Sequence, residues 1–185
     1  MRIIVAVTGA SGANYALAML KELKKQKVEV HLIVSEWAEK VLQLETGKKI
    51  SELKKLAHKT YSNNALAASI SSSSFLVDGM IILPASVKTC SEIVHAHTSN
   101  LITRCADNML KTKKKLVIGF RETPISPGTI ENLYKLSLFG AIIFPLSPGF
   151  YNKPKKISDL EAFICGKAMD LLDIRNNSYD RWDKE

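Results

Sequence analysis

The chain has 185 residues, of which 46% are apolar and 24% charged, and its formal charge is +8. This length and composition are typical of one globular domain, and the sequence has no run of about 18 apolar residues that could cross a bilayer. The charge favours anionic partners, but the lysines fall in short runs without interleaved aromatic residues, a pattern typical of solvated surfaces and not of nucleic-acid binding.

The N-terminus and the cysteines indicate a protein of a reducing compartment. The first residues, MRIIVAVTGASG, read as a strand that ends in a glycine turn, not as a signal peptide. Cys90, Cys105 and Cys165 are odd in number and lack the spacing of a disulfide framework or a zinc site. We therefore expect a cytoplasmic protein without a metal and without a membrane anchor.

Short apolar runs alternate with amphipathic stretches along the chain. The predicted strands are residues 2–8, 28–34, 79–83, 116–119 and 141–144, the third ending at Pro84. The predicted helices begin near Asn14, Ser35, Ile50, Ser86, Asn100, Ile130 and Ile157. Residues 62–74, rich in Ser and Asn, are predicted to form a loop. The alternation predicts an α/β three-layer sandwich with a mostly parallel sheet, in a single domain over residues 1–174.

The first strand is followed by a loop of small residues, Gly9-Ala10-Ser11-Gly12-Ala13. Ligands of open α/β sheets bind outside the carboxyl ends of the strands. Backbone N–H groups of this loop and the Ser11 hydroxyl could approach a phosphate or a ring edge at a helix N-terminus. A plain tight turn is the alternative, and the lack of GxGxxG disfavours a dinucleotide.

Hydroxyl side chains follow the second and third strands. Ser35 can cap the second helix, and Ser86 and Thr89 lie at the start of a later helix, where they can cap it or bind a ligand oxygen. Glu45 ends the second helix, and an ordinary surface glutamate is the alternative to a functional role.

Charged and phenolic side chains are predicted near the same edge of the sheet. Arg104 and Lys111 lie seven residues apart on one predicted helix, so they share a face and form either a phosphate clamp or two solvated cations. Arg121 and Glu122 follow the fourth strand, and Tyr151 follows the fifth. Such a site could grip a phosphate or diphosphate as a leaving group and pass a proton to it.

Seven short strings occur in one order along the chain: GASGA, LET, PxSxxT, NLxxRxAD, LK, LVxxxRETP and PGFY. In this order they resemble the UbiX family of flavin prenyltransferases over about residues 1–174. The resemblance implies a flavodoxin-like, Rossmann-like domain that joins a dimethylallyl group from dimethylallyl monophosphate to N5 and then C6 of reduced FMN. The product, prenylated FMN, would serve UbiD-type decarboxylases in ubiquinone biosynthesis or aromatic acid decarboxylation.

The resemblance also implies roles for individual residues. The implied FMN contacts are Gly9, Ala10, Ser11, Ser35, Ser86, Thr89, Arg104 and Arg121. The implied contacts with the prenyl phosphate are Lys111, Arg121, Glu122, Tyr151, Lys167 and Trp182. The implied catalytic residues are Ser11, Glu45, Lys111, Glu122 and Tyr151. No metal is needed, because arginine and lysine would neutralise the phosphate.

The chain departs from the family pattern at a few positions. Ala85 stands where a cysteine is frequent, Ser73 where a glycine is common, and Lys167 where an arginine often lies, which turns a bidentate grip on phosphate into a point-charge contact. The polar tail, residues 175–185, contains a Trp182 like that of the family. The resemblance implies that this tail closes over a neighbour's site in a homo-oligomer, commonly a dodecamer, and a frayed tail is the alternative.

Two other functions are consistent with parts of the sequence. An FMN-dependent decarboxylase of the cysteine-decarboxylase type shares the fold and the Pro-Ala-Ser string, but it needs a catalytic histidine. His31, His58, His95 and His97 do not lie in the required motif, and structural histidines are expected. A non-catalytic flavin-binding subunit is the second alternative, and it would leave the charged cluster without a purpose.

Overall fold

The computed structural model describes residues 1–182, within which six strands alternate with seven helices. The strands are β1 (Arg2–Val7), β2 (Glu29–Val34), β3 (Lys59–Ser62), β4 (Gly79–Ala85), β5 (Lys115–Phe120) and β6 (Ile142–Pro145). The helices are α1 (Ala13–Lys25), α2 (Glu36–Thr46), α3 (Ile50–Lys54), α4 (Val87–Val94), α5 (Leu101–Lys111), α6 (Pro127–Leu138) and α7 (Ile157–Leu171). The last three positions of the predicted tail, 183–185, lie outside the described residues.

The six strands form one wholly parallel sheet in the order β3-β2-β1-β4-β5-β6. The prediction of an α/β fold with a mostly parallel sheet is confirmed. The five predicted strands alone follow the flavodoxin-like order 2-1-3-4-5, and the additional edge strand extends it to the Rossmann order 3-2-1-4-5-6. In both descriptions the order reverses between β1 and β4, which is where ligands bind in such sheets.

The edge strand β3 was missing from the sequence-based prediction. It is only four residues long, KTYS, and Tyr61 is its one buried residue. Such a segment lacks the apolar run of a central strand, and it leads directly into the polar stretch predicted as a loop. The segment becomes a strand because it pairs with His31–Val34 of β2, although its own composition does not favour a strand.

Helices cover both faces of the sheet. Alternate residues of a strand point to opposite faces, so Ile3 and Val5 of β1 pack in a core with α1, α2 and α7. Ile4 and Ala6 of the same strand pack in a second core with α4, α5 and α6. The three layers predicted from the alternation of elements are therefore present.

The end of β4 corrects the predicted boundary. The strand runs through Pro84 to Ala85, with an irregular register against β5 that accommodates the missing N–H of the proline. Thr8, which is buried after β1, donates its hydroxyl to the Pro84 carbonyl at 2.8 Å and accepts the Ser86 N–H at 2.8 Å. These bonds join the ends of β1 and β4 at the reversal of strand order.

Helix N-termini lie at the carboxyl edge of the sheet, with caps where hydroxyls were predicted. Ser35 accepts the Ala38 N–H at 3.1 Å, and Ser86 accepts the Thr89 N–H at 3.3 Å. The helix predicted near Ile130 begins earlier, because Ser126 caps it and Pro127 suits a first turn.

Three further findings bear on the class of protein. No helix among residues 1–182 is long and apolar enough to span a bilayer. No group of three or more His, Cys, Asp or Glu side chains in the same part of the chain is arranged to hold a metal ion. The three cysteines are buried and free, and burial raises the pKa of each thiol to about 12.

Candidate active site

A cavity of about 500 Å³ lies where the strand order reverses. Four of the predicted FMN contacts line it, namely Gly9, Ser35, Ser86 and Thr89. They come from loops after three different strands, which the parallel sheet brings together at one edge. We call this space the hydroxyl cavity, because serine and threonine hydroxyls at the N-termini of α2 and α4 face it. Such groups suit a phosphate-bearing ligand.

Several residues that line the hydroxyl cavity were not predicted from the sequence. The most informative is Asn63, after β3, whose side chain accepts the Ile102 N–H at 3.0 Å and whose carbonyl accepts the Leu101 N–H at 2.7 Å. Asn63 thereby fixes the start of α5 beside the cavity. The Ser- and Asn-rich composition of residues 62–74 was the available signal, but it indicated only a loop.

Gly9 is needed for close approach of the backbone to α2. A Cβ at this position would lie 2.6 Å from the Cβ of Trp37, a distance that real Cβ atoms essentially never show. Trp37 also lines the hydroxyl cavity. The first glycine of the GASGA string therefore serves packing at the edge of the cavity, in addition to the turn.

A second cavity, of about 390 Å³, is lined by Ser11, Glu45 and Arg121. We call it the Arg121 cavity. The sequence placed these three residues in one site, and the structure brings them together from the loop after β1, the end of α2 and the loop after β5. Because the Gly9–Ala13 loop contributes to both cavities, a ligand in one lies beside a ligand in the other.

Glu45 caps the N-terminus of α1. Its carboxylate accepts the Gly12 N–H at 3.0 Å and the Ala13 N–H at 2.9 Å. The N–H groups of Gly12 and Ala13 are therefore bonded to a carboxylate at the positive end of the helix, and the contact of this loop with a phosphate stays a prediction. The Ser11 hydroxyl still faces the Arg121 cavity.

Two titratable residues of the Arg121 cavity were missed in the sequence. Tyr15 was assigned to the apolar face of α1, and Glu161 was not singled out. Burial, followed by the nearby Glu161 carboxylate, raises the pKa of Tyr15, against the opposing effect of Arg121. Burial also raises the pKa of Glu161, which Lys21 partly offsets. The phenol of Tyr15 thus remains a proton donor at neutral pH.

The structure separates Lys111 from the other predicted catalytic residues of its own chain. Arg104 and Lys111 lie on α5 as predicted, but α5 runs back across the sheet and ends just before β5 begins at Lys115. Lys111 therefore lies at the amino edge, where it pairs with Asp107 at 3.0 Å. Arg104 lies one turn into α5, half-buried, and is not among the residues that line either cavity.

Three of the residues predicted to contact the prenyl phosphate form an aromatic and cationic cluster with α7. Tyr151 contacts Trp182 edge-on, with ring centroids 5.2 Å apart, and Lys167 Nζ lies 5.1 Å from the ring of Tyr179. Phe163 connects the two pairs, at 5.8 Å from Tyr151 and 5.3 Å from Tyr179. The described part of the tail thus packs on its own chain.

Glu122, the remaining predicted residue, is exposed after β5. Its carboxylate accepts the N–H of Thr123 at 3.0 Å, which orients the loop next to Arg121. The structure does not bring Glu122 into either cavity as one of the lining residues.

The fold and the two adjoining cavities define a nucleotide-binding α/β protein with a charged second pocket beside the nucleotide site. Residues 1–169 match the family described as Flavoprotein. Flavin prenyltransferase LpdB of Lactiplantibacillus plantarum is 47% identical over 183 residues, which cover 98% of each chain. The chain belongs to this family, as a member of its UbiX-type flavin prenyltransferases.

Solved structures agree with this assignment. A crystal structure of AnUbiX (PadA1) in complex with FMN and dimethylallyl pyrophosphate is 40% identical, with a TM-score of 0.97 over 100% of this chain and 98% of that chain. A dodecameric FMN-dependent UbiX-like decarboxylase from Escherichia coli O157:H7 is 36% identical, with a TM-score of 0.97 over the whole of both chains.

Proposed function

We propose that this chain transfers a dimethylallyl group from dimethylallyl monophosphate to reduced FMN and releases prenylated FMN and phosphate. The observation that carries the proposal is the Arg121 cavity, where Ser11, Glu45 and Arg121 adjoin a hydroxyl-lined cavity at the reversal of strand order. A nucleotide site beside a site for a second anion is what a transfer between two phosphorylated substrates requires. The named relatives and the complex with FMN and dimethylallyl pyrophosphate support FMN as the acceptor and a dimethylallyl phosphoester as the donor.

In this proposal the hydroxyl cavity binds FMN and the Arg121 cavity binds the phosphate of the prenyl donor. Ser35, Ser86 and Thr89 bind the phosphate and ribityl oxygens of FMN, which also contacts Gly9 and Ala10, and the flavin supplies the nucleophilic N5 and C6. Arg121 neutralises the charge that develops on the departing phosphate, as electrostatic catalysis requires. Ser11 and Glu45, with Glu122, hold the protons displaced at the flavin, within hydrogen-bond reach once the substrates are bound.

We further propose that the protein works as a homo-oligomer, in which a second copy completes the site. Lys111 lies at the opposite edge of its own sheet from Arg121, so it can contribute only to a neighbour's site. The outer face of α6 carries Ile130, Tyr134 and Leu138 at four-residue spacing, with 58%, 63% and 65% of their surface exposed. Such an apolar row is typical of a covered interface. The dodecameric relative supports this assembly.

Three further points belong to the same proposal. Residues 1–174 form one domain, and the tail ends near a neighbouring subunit's site. Tyr151, Lys167 and Trp182 enclose the prenyl group, with Arg104 near the flavin. The product passes to a UbiD-type decarboxylase in the cytoplasm, where free cysteines remain reduced.

The geometry of the histidines argues against a decarboxylase of the cysteine-decarboxylase type. His31 is only 4% exposed, within β2, and its ring nitrogens contact the Tyr61 hydroxyl at 2.9 Å and Glu29 at 3.0 Å. No histidine among residues 1–182 lines the hydroxyl cavity or the Arg121 cavity. A non-catalytic flavin-binding subunit would have no use for the second cavity.

The proposal is tested by anaerobic incubation of the purified protein with reduced FMN and dimethylallyl monophosphate, with inorganic phosphate measured over time. We expect phosphate release that requires both substrates, and much slower release in Arg121→Met. Lys25→Met is the matched control for the loss of a cation, since Lys25 is exposed at the end of α1 and lines neither cavity. Phosphate release that does not depend on FMN would contradict the proposal.

A further inference from the structure

The tail of this chain is held by one carboxylate. Asp170, near the end of α7, accepts hydrogen bonds from Asn176 Nδ2 at 2.9 Å and from the Tyr179 hydroxyl at 2.8 Å. The guanidinium of Arg181 binds both oxygens of the same carboxylate, at 2.9 Å and 2.6 Å. Bidentate pairs of this kind are among the strongest side-chain contacts. Three tail residues therefore converge on Asp170.

Other contacts show that the tail has a defined seat on α7. Asn176 is buried, and its amide also donates to the Gly166 carbonyl at 3.1 Å. A Cβ on Gly166 would lie 2.2 Å from Cδ1 of Tyr179, so only glycine leaves room for the phenol at this point of the helix. The side chain of Tyr179 then packs on Phe163 and beneath Lys167.

The strength of the anchor follows from its charge. Burial opposes the ionisation of Asp170, but the hydrogen bonds from Arg181 and Tyr179 prevail and hold the pKa of this carboxyl below its usual value. The anchor is therefore charged at neutral pH. Trp182 follows Arg181 directly, and its side chain, still 73% exposed, lies against Tyr151 in the loop after β6.

We propose that Asp170 is a positioning residue, which through Arg181 and Tyr179 holds the tail on α7 and so fixes Trp182 beside Tyr151, the aromatic pair that the proposed function places around the prenyl group. Asp170 and Arg181 do not touch the substrates in this account. They determine the position of Trp182, which with Tyr151 lies around the prenyl group. This inference rests on the proposed function, in which Tyr151, Lys167 and Trp182 enclose the prenyl group.

Two substitutions release the tail by different physical means. Asp170→Asn removes the charge and keeps the shape, whereas Gly166→Ala leaves every charge in place and displaces Tyr179. Alanine is a better helix former than glycine, so Gly166→Ala does not act by weakening α7. Asp173→Asn is the matched control, because Asp173 lies on the next turn and pairs with Lys115, not with the tail.

The experiment measures two quantities in the complete, FMN-loaded protein. Hydrogen exchange, followed by mass spectrometry of peptides that cover 175–182, reports whether the tail is seated. Steady-state kinetics with dimethylallyl monophosphate report KM and kcat, and a separate titration reports FMN affinity. We expect faster exchange and a KM raised roughly tenfold in both variants, with FMN affinity unchanged, because Asp170→Asn weakens strong hydrogen bonds to a charged group and Gly166→Ala displaces Tyr179. Arg181→Lys should restore part of the protection that Arg181→Gln loses.

The outcomes separate this inference from the proposed function. Unchanged exchange of the tail in Asp170→Asn would overturn the anchor, whatever the kinetics. A released tail with an unchanged KM would overturn the positioning role. If the wild-type protein formed no prenylated flavin, the proposed function and the positioning role would fail together, while the exchange data would still decide whether Asp170 anchors the tail.

Discussion

The carboxylate of Glu45, near the end of α2, accepts the backbone N–H of Gly12, just before α1, with Oε2 3.0 Å from the nitrogen. The same oxygen accepts the Ala13 N–H at 2.9 Å. One side chain thus joins two helices that flank the Arg121 cavity and gives the glycine loop a fixed shape. Glu45, to which the resemblance assigns a catalytic role, therefore also holds the loop that lines the Arg121 cavity.

Replacement of Glu45 should therefore affect stability and activity together. In Glu45→Gln the capping acceptor is neutral, and we expect a loss of about 1 kcal/mol in the free energy of unfolding, as for other lost N-terminal caps, with a larger relative loss of prenyl transfer. Urea denaturation and the transfer assay measure the two effects. Glu39→Gln, exposed on the same helix, is the control, and an equal effect of both variants would contradict the role of Glu45.

Gly9 offers a test of the hydroxyl cavity. A methyl group at this position would meet Trp37 at 2.6 Å, and relief of the clash would move α2 with Ser35 at its cap. We expect Gly9→Ala to lower stability by about 1–3 kcal/mol, as overpacking does, and to weaken FMN binding measured by flavin fluorescence. Gly128→Ala is the matched control, because a Cβ there meets nothing within 4 Å.

We expect the free energy of unfolding to depend on pH through the Glu29 carboxylate, independently of catalysis. A hydrogen bond from Arg2 and then one from His31 lower the pKa of Glu29 from its usual 4.5 to about 2. A depressed pKa means that Glu29 stabilises the fold fully above its unfolded-state pKa, and that this contribution is lost as the pH falls from about 4.5 towards 2.

The comparison of wild type with Glu29→Gln in urea denaturation measures this contribution. We expect the wild type to be more stable at pH 7 and the difference to shrink below pH 4.5, the usual pKa. A difference between the two proteins that stays constant from neutral to acidic pH would show that Glu29 contributes through packing and not through its charge.

Lys111 allows a test of site sharing between subunits. Lys111→Met and Arg121→Met should each abolish most of the prenyl transfer, because each removes a cation that faces the departing phosphate. If Lys111 serves a neighbour's site, dissociation and reassembly of a mixture of the two variants creates some sites with both cations, and part of the activity returns. Lys113→Met, in the same lysine run, should be active by itself. Mixed assemblies as inactive as the separate variants would contradict site sharing and would place Lys111 and Arg121 in the site of the same chain.

Much of the fold follows from local patterns in the sequence. Five strands were predicted because central parallel strands are continuous apolar runs, and the caps Ser35 and Ser86 marked two helix starts. The strand β3 was not predicted, because Lys59–Ser62 forms a strand by pairing with β2 and its own sequence has no apolar run. The boundary at Pro84 was misplaced because tolerance of a proline depends on the register of the neighbouring strand.

The sequence predicts those site residues that directly follow the carboxyl ends of the strands. Gly9, Ser35, Ser86 and Thr89 converge because parallel strands end at one edge. Tyr15 was missed because its helical spacing is that of a core residue. Helical spacing correctly placed Arg104 and Lys111 on one helix, but it did not show that their separation of about 10 Å along the axis carries Lys111 towards the opposite edge.

The central claim is that FMN leaves this protein with a dimethylallyl group attached. The most direct test is mass spectrometry of the flavin extracted after anaerobic incubation of the protein with reduced FMN and dimethylallyl monophosphate. The account predicts a flavin heavier by one dimethylallyl unit, and loss of that product in Glu122→Gln. Unmodified FMN that remains tightly bound after complete incubation would contradict it and would favour a flavin-binding subunit without transferase activity.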